Sequence, residues 1–210
     1  MHWASSMRGA RYHEAGHAVA AFHNGFTVTS VIVTDNTWIA NHRRLVFGGW
    51  SESWREACVT LAGQLADQRA SWGEIRPESW EAFHCEAESA LEMARYDKEF
   101  ARCDHVQLLH SLKEMAADPH GDPLEDSYHE VVEDTLRLVS DHWHEIEALA
   151  RALEQNGTLD GAEVVRTIEG ARPTTKINGC RDAPTAEHCE KRPLRPPGTC
   201  RSDGGATSTA

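Results

Sequence analysis

The sequence predicts a mainly α-helical fold with a small β-hairpin close to the N-terminus. Over most of the first 170 residues, apolar side chains recur at spacings of three and four, which is the period of an amphipathic helix. One short stretch, Thr27 to Thr34, is instead largely β-branched, and such a run is typical of a strand. Because two strands alone are only marginally stable, we expect the hairpin to pack against the helices.

The first helix is predicted from Arg8 to Phe22, followed by the strand. The helix ends before the run His23-Asn24-Gly25, since Asn and Gly readily adopt the left-handed conformation that closes a helix. Arg44 to Phe47 is predicted as the partner of the strand, across a polar loop of residues 35–43. An edge of the first strand would suit an extended polypeptide, because strand addition is a common mode of peptide recognition.

Further helices are predicted downstream, at Glu52 to Ala70, Ser79 to Phe100, Asp104 to Ala117, Pro123 to Gln155, and from Asp160 to about Gly170. Asp122 is the predicted N-cap of the longest one, and Pro123 suits its first helical position. Asn156-Gly157 closes that helix. The last helix opens on a capping-box spacing of Asp160 and Glu163.

Composition limits the classes of function. The net charge of −12 argues against a nucleic-acid binder, whose affinity depends on Lys and Arg, and against docking on an anionic membrane. The first residues lack the apolar run of a signal peptide, and no segment reaches the roughly 18 apolar residues of a membrane span. The six cysteines form no compact disulfide framework, so we predict a cytoplasmic protein with reduced thiols.

The domain organisation follows from a change in composition. Residues 1–170 are predicted to form one domain, whereas residues 171–210 are rich in Pro, Gly, Ser and Thr and carry almost no large apolar side chains. Such a tail cannot bury enough surface to become ordered, so we predict that it is disordered. The spacing of its three cysteines matches no compact zinc pattern.

The most informative motif lies on the first helix, at His13-Glu14-Ala15-Gly16-His17. Positions i and i+4 of a helix share one face, so both imidazoles can reach the same metal ion. Glu14 lies beside that face, where its carboxylate can act as a general base without ligating the metal. The pattern predicts two zinc ligands, His13 and His17, and one catalytic residue, Glu14.

A third ligand is expected, because catalytic zinc usually takes three protein ligands. His23 has the spacing of the third histidine in the pattern H-E-x-x-H-x-x-G-x-x-H, but Ala20 stands where that pattern needs a glycine turn. A continuing helix would point His23 away from His13 and His17, so His23 is interpreted as a helix-end residue. The third ligand should then come from a later helix, as a carboxylate.

Four segments, in order along residues 9–170, resemble the zinc-protease domain of the FtsH-type AAA+ proteases. They are Tyr12-His13-Glu14-Ala15-Gly16-His17-Ala18-Val19-Ala20, Leu61-Ala62-Gly63-Gln64-Leu65-Ala66-Asp67, Glu86-Ala87-Glu88-Ser89-Ala90-Leu91-Glu92-Met93-Ala94-Arg95, and the pair Leu149-Ala150-Arg151-Ala152-Leu153 and Thr158-Leu159-Asp160-Gly161. The resemblance implies a helical zinc-peptidase domain. It also implies that Glu86, at the position of the family's zinc-binding Asp, is the third metal ligand, with His84 and Cys85 as neighbouring alternatives.

The function expected from the motif and the resemblance is a zinc metalloendopeptidase. The sequence carries no P-loop, so we expect it to hydrolyse unfolded or flexible polypeptides without ATP, alone or with a separate unfoldase partner; it predicts no oligomeric state. The alternative is a catalytically silent regulatory module that retains a bound metal. Glu14 favours the enzyme, because a purely structural site has no use for a general base.

Overall fold

The computed structural model describes residues 6–35, 37–43, 50–98, 100–117 and 123–171. Within these ranges the helices are α1 (Met7–His23), α2 (Trp50–Trp72), α3 (Trp80–Met93), α4 (Asp104–Ala116), α5 (Leu124–Asp141), α6 (Trp143–Asn156) and α7 (Gly161–Ala171). The strands are β1 (Thr27–Val33), β2 (Trp38–Arg43) and β3 (Thr158–Asp160), and a single 3₁₀ turn spans Phe100–Arg102. The predicted fold class, mainly α with a hairpin after the first helix, is confirmed.

The sheet has three antiparallel strands in the order β2-β1-β3. The prediction of a hairpin was correct, but its second strand is Trp38–Arg43, which had been predicted as loop; residues 44–47 lie outside the described residues. The connection is short because the Thr34 amide donates to the Thr37 carbonyl at 2.8 Å, so the chain reverses at once. Ser30, Val31 and Ile32 of β1 are paired with both neighbouring strands, so these three residues offer no edge to a substrate.

Two predicted helices differ from the structure by more than two residues. The third ends at Met93 rather than Phe100, because turns follow it and Tyr96 is 85% exposed, so no core contact extends the helix. The predicted helix Pro123 to Gln155 is two helices that meet at His142, whose backbone leaves the helical conformation (φ −107°, ψ 18°). Apolar spacing continues across this break, so periodicity alone could not reveal it.

The centre of the fold is the contact between α1 and α2. Their backbones approach closely at Gly16, where a Cβ atom would lie only 2.6 Å from the Ala62 carbonyl oxygen. The second half of α1 is almost entirely buried, and α6 and the sheet pack on its other sides. This packing fixes the histidine-bearing turn of α1 against α2.

The described residues allow only some of the remaining predictions about organisation to be compared with the structure. None of the helices in the described ranges is both long enough and apolar enough to cross a membrane. The predicted disordered tail, apart from Ala171, and the predicted N-cap Asp122 lie outside the described residues. At the last helix, the Asp160 amide donates to Glu163 and the Glu163 amide donates to Asp160, at 2.9 and 2.8 Å, which confirms the capping box.

Candidate metal centre

Two histidines and one carboxylate converge in the middle of α1. The Nε2 atoms of His13 and His17 lie 3.0 Å apart, and Asp104, the first residue of α4, places Oδ2 2.8 Å from His13 Nε2 and 3.5 Å from His17 Nε2. Ligand atoms at about 2.0–2.1 Å around a tetrahedral ion stand roughly 3.3–3.4 Å from one another. The three donor atoms therefore form a triangle close to the one that a single zinc ion requires.

The ring of His17 is fixed by α2. Its Nδ1 lies 2.8 Å from the Val59 carbonyl oxygen, which can only accept, so the Nδ1–H donates and Nε2 is directed towards His13 and Asp104. A backbone carbonyl that binds the second ring nitrogen in this way is a recurrent feature of metal-ligating histidines. Gly63 makes the approach of α2 possible, because a Cβ atom there would lie 2.4 Å from His17 Nε2.

The electrostatics of the group favour positive charge. Burial opposes a charge on His17, but the neighbouring Asp104 carboxylate outweighs burial and raises the pKa of His17 to about 9. Burial likewise opposes ionisation of Asp104, yet His17 and His13 hold the pKa of that carboxyl well below its usual range. The negative charge that favours a proton on His17 would also favour a divalent cation between the three side chains.

Glu14 lies beside the same group. Only 6% of the residue is exposed, and its carboxylate interacts favourably with a positive charge on His17. Its place directly after His13 keeps it off the face shared by the two histidines.

Glu86, the predicted third ligand, is not brought together with His13 and His17. It lies on α3 with a half-exposed side chain, and its Oε2 is 3.6 Å from His105 Nε2 in a separate group with Glu78. Asp104 takes the predicted place beside the two histidines, because α4 begins there against α2 whereas α3 ends early. The grouping in the structure therefore differs from the one expected from the resemblance.

The alternatives to Glu86 are also elsewhere. His84 Nε2 lies 3.8 Å from Glu88 Oε1 and the His84 ring packs on Trp80, and Cys85 is exposed. His23 is the last residue of α1, as predicted, and its Nε2 contacts Glu145 rather than the first group.

Sequence reasoning missed Asp104 as a site residue. The only visible signal was an acidic residue in the first turn of a predicted helix, and this is a common feature because it complements the helix dipole. The contact with α1 joins residues separated by about ninety positions, so no local spacing could have identified it.

Comparison with known proteins leaves the family open. Neither a protein-family model nor a curated protein matches this chain. The described residues contain three groups of His, Asp and Glu that could hold a metal ion: His13 with His17 and Asp104, His23 with His142 and Glu145, and Glu78 with Glu86 and His105.

Proposed function

We propose that the chain is a zinc metallopeptidase whose metal ligands are His13, His17 and Asp104. The observation that carries the proposal is the triangle of donor atoms with edges of 2.8, 3.0 and 3.5 Å. Two imidazoles and one carboxylate are a donor set that suits zinc and leaves a fourth position open, as catalytic zinc sites do. The resemblance of four segments to the FtsH-type proteases supports the same function.

The residues of the site have separate tasks. Zinc, when bound, polarises the scissile carbonyl and makes water a stronger nucleophile near neutral pH. Glu14 accepts a proton from the attacking water and passes it to the leaving amine. The Val59 carbonyl holds the His17 ring in its ligating orientation, and Gly63 leaves room for that ring.

The substrate proposed is an unfolded or flexible polypeptide, because an extended backbone is needed to enter a peptidase site. The proposed enzyme acts without ATP, alone or with a separate unfoldase. The alternative function is a regulatory module that binds metal without hydrolysis. Glu14 separates the two functions, since only the enzyme needs its carboxylate.

The test combines metal content with hydrolysis. Zinc per chain would be measured by elemental mass spectrometry, and cleavage would be followed with casein, for wild type, Glu14→Gln, Asp104→Asn and Glu86→Gln. We expect Glu14→Gln to keep its zinc and lose hydrolysis by roughly 10²–10⁴-fold, the usual contribution of a general base. Asp104→Asn should lose the zinc of this site, whereas Glu86→Gln should keep both zinc and activity.

Each outcome has a defined meaning. Zinc bound by wild type without any cleavage would favour the regulatory module. Zinc lost in Glu86→Gln and kept in Asp104→Asn would restore the ligand set expected from the resemblance. A wild-type chain that binds no zinc would refute the metal centre itself.

A further inference from the structure

A second group of metal-ligating side chains lies at the C-terminal end of α1, where the junction of α5 and α6 packs against it. His23 Nε2 lies 2.5 Å from Glu145 Oε2, and His142 Nδ1 lies 3.5 Å from the same oxygen. The rings of His23 and His142 are stacked with their centroids 3.5 Å apart. These residues come from two distant segments, and His142 is the residue at which the predicted long helix is broken.

The carboxylate at the centre of this group is buried. Only 1% of Glu145 is exposed, although it lies in the first turn of α6. His144 approaches from the other side, with its Nε2 3.8 Å from Glu145 Oε1. A buried carboxylate needs a paired charge or a metal, and three imidazoles surround this one.

Two ring nitrogens in this group are enclosed and make no hydrogen bond. They are His142 Nδ1 and His144 Nε2, and each has essentially no contact with solvent. An enclosed polar atom without a hydrogen bond is destabilising by about 1–3 kcal/mol, so such atoms in a folded protein need an explanation. A cation that accepts the lone pair of His142 Nδ1 would remove one of these costs.

The local electrostatics are compatible with a bound cation. Burial and the neighbouring His23 lower the pKa of His142. The C-terminal end of α1 also presents the negative end of its helix dipole here.

We propose that His23, His142 and Glu145 form a second metal site, which binds a zinc-like divalent ion and ties the end of α1 to the junction of α5 and α6. The three donor atoms already lie within 4.8 Å of one another. A bound ion would widen the 2.5 Å contact of His23 and Glu145 to about 3.3 Å, the ligand spacing of a tetrahedral site. His144, whose Nε2 is 3.8 Å from the other carboxylate oxygen, is not one of the proposed ligands. With three protein ligands, the fourth position of the ion would be taken by water, and we assign the ion the role of holding these segments together.

The test is a count of bound metal on the full chain. The protein would be stripped with a chelator, reloaded with zinc and freed of excess, and zinc per chain would be measured for wild type, His142→Gln, the double variant His13→Gln/His17→Gln, and the triple variant that combines them. Glu86→Gln is the matched control, because it alters the third group of possible ligands. Cobalt substitution would identify any thiolate-bound metal by its charge-transfer absorption, so that the cysteines are not counted in error.

The expected counts separate this proposal from the first metal centre. Wild type and Glu86→Gln should hold about two histidine-bound ions, His142→Gln and the double variant about one each, and the triple variant none. If the double variant holds no metal while wild type holds one, the second site does not exist and the proposed peptidase centre is unaffected. Should His142→Gln fail to fold, the counts for wild type and for the double variant still decide the question.

Discussion

Replacing Gly63 by alanine should impair the proposed first metal centre without altering any of its proposed ligands. A Cβ atom at this position would lie 2.4 Å from His17 Nε2, 2.5 Å from Cε1 and 2.9 Å from Cδ2, whereas ordinary contacts begin near 3.4 Å. The ring cannot rotate freely out of the way, because its Nδ1 is held by the Val59 carbonyl oxygen. The added methyl group must therefore displace the donor nitrogen itself.

The displacement can be converted into an expected loss of affinity. Restoring ordinary contact requires His17 Nε2 to move by about 1 Å, which is several times the ~0.2 Å tolerance of a metal–ligand distance. Loss of a group that only orients a metal ligand reduces metal affinity by about 10–100-fold. Because Gly63→Ala displaces the donor atom itself, we expect it to reduce zinc affinity by at least about 100-fold. The free energy of unfolding should change by less than the free energy of zinc binding does. Overpacking costs about 1–3 kcal/mol, and the replacement of glycine by alanine in a helix returns up to ~1 kcal/mol.

The assay is competition for zinc with a chromophoric chelator, accompanied by urea unfolding of the chelator-treated protein. Gly170→Ala is the matched control, since a Cβ atom there meets nothing within 4 Å and the residue is also helical. The control should keep wild-type affinity and gain up to ~1 kcal/mol of stability. Wild-type zinc affinity in Gly63→Ala would refute the reasoning, because it would mean that the His17 ring does not ligate from this position.

Three further predictions concern single residues. Asp104→Asn should raise the zinc dissociation constant by at least about 100-fold, because a neutral amide oxygen replaces the one negative ligand of the proposed site. Equilibrium dialysis would measure the constant, and an unchanged value would contradict the ligand assignment. Burial raises the pKa of Cys58 to about 12, so at pH 8 only about one Cys58 thiol in 10⁴ is ionised. Ellman's reagent should therefore modify the exposed Cys85 rapidly but Cys58 only upon unfolding. Rapid modification of both cysteines would contradict the burial of Cys58. Asp160→Ala removes the acceptor for the Glu163 amide and should lower the free energy of unfolding by about 1 kcal/mol. Urea unfolding would measure the change, and an unchanged free energy would contradict the role of Asp160 as a cap.

Local sequence features were sufficient to predict most of the helices. Each has a stripe of apolar residues and a stop or capping signal nearby, and Asp160 with Glu163 is the clearest instance. The prediction was wrong where packing decides the outcome. At His142 the apolar pattern is uninterrupted. In the hairpin the second strand begins at Trp38, because the chain reverses directly after Thr34.

The candidate site was predictable only where its residues share one helix. His13, Glu14 and His17 are fixed relative to one another by the helical repeat, and the structure brings the two histidines together as expected. Glu86 was predicted from a resemblance of one segment, and such an alignment cannot tell which nearby carboxylate a later helix presents. That choice depends on where α3 ends and where α4 begins, which is a property of the tertiary packing.

The motif on α1 therefore specifies less of the site than its five residues suggest. In the proposed centre it would provide two donors and one base. The ring of His17 is oriented by a carbonyl of α2, its space is provided by a glycine of α2, and the proposed negative ligand is the first residue of α4. Any other sequence with the same five residues but a larger side chain in place of Gly63 would have to move the ring or separate the helices. The close approach of α2 is thus as necessary to the proposed metal centre as the histidines, and it is the feature that a search for the motif alone would overlook.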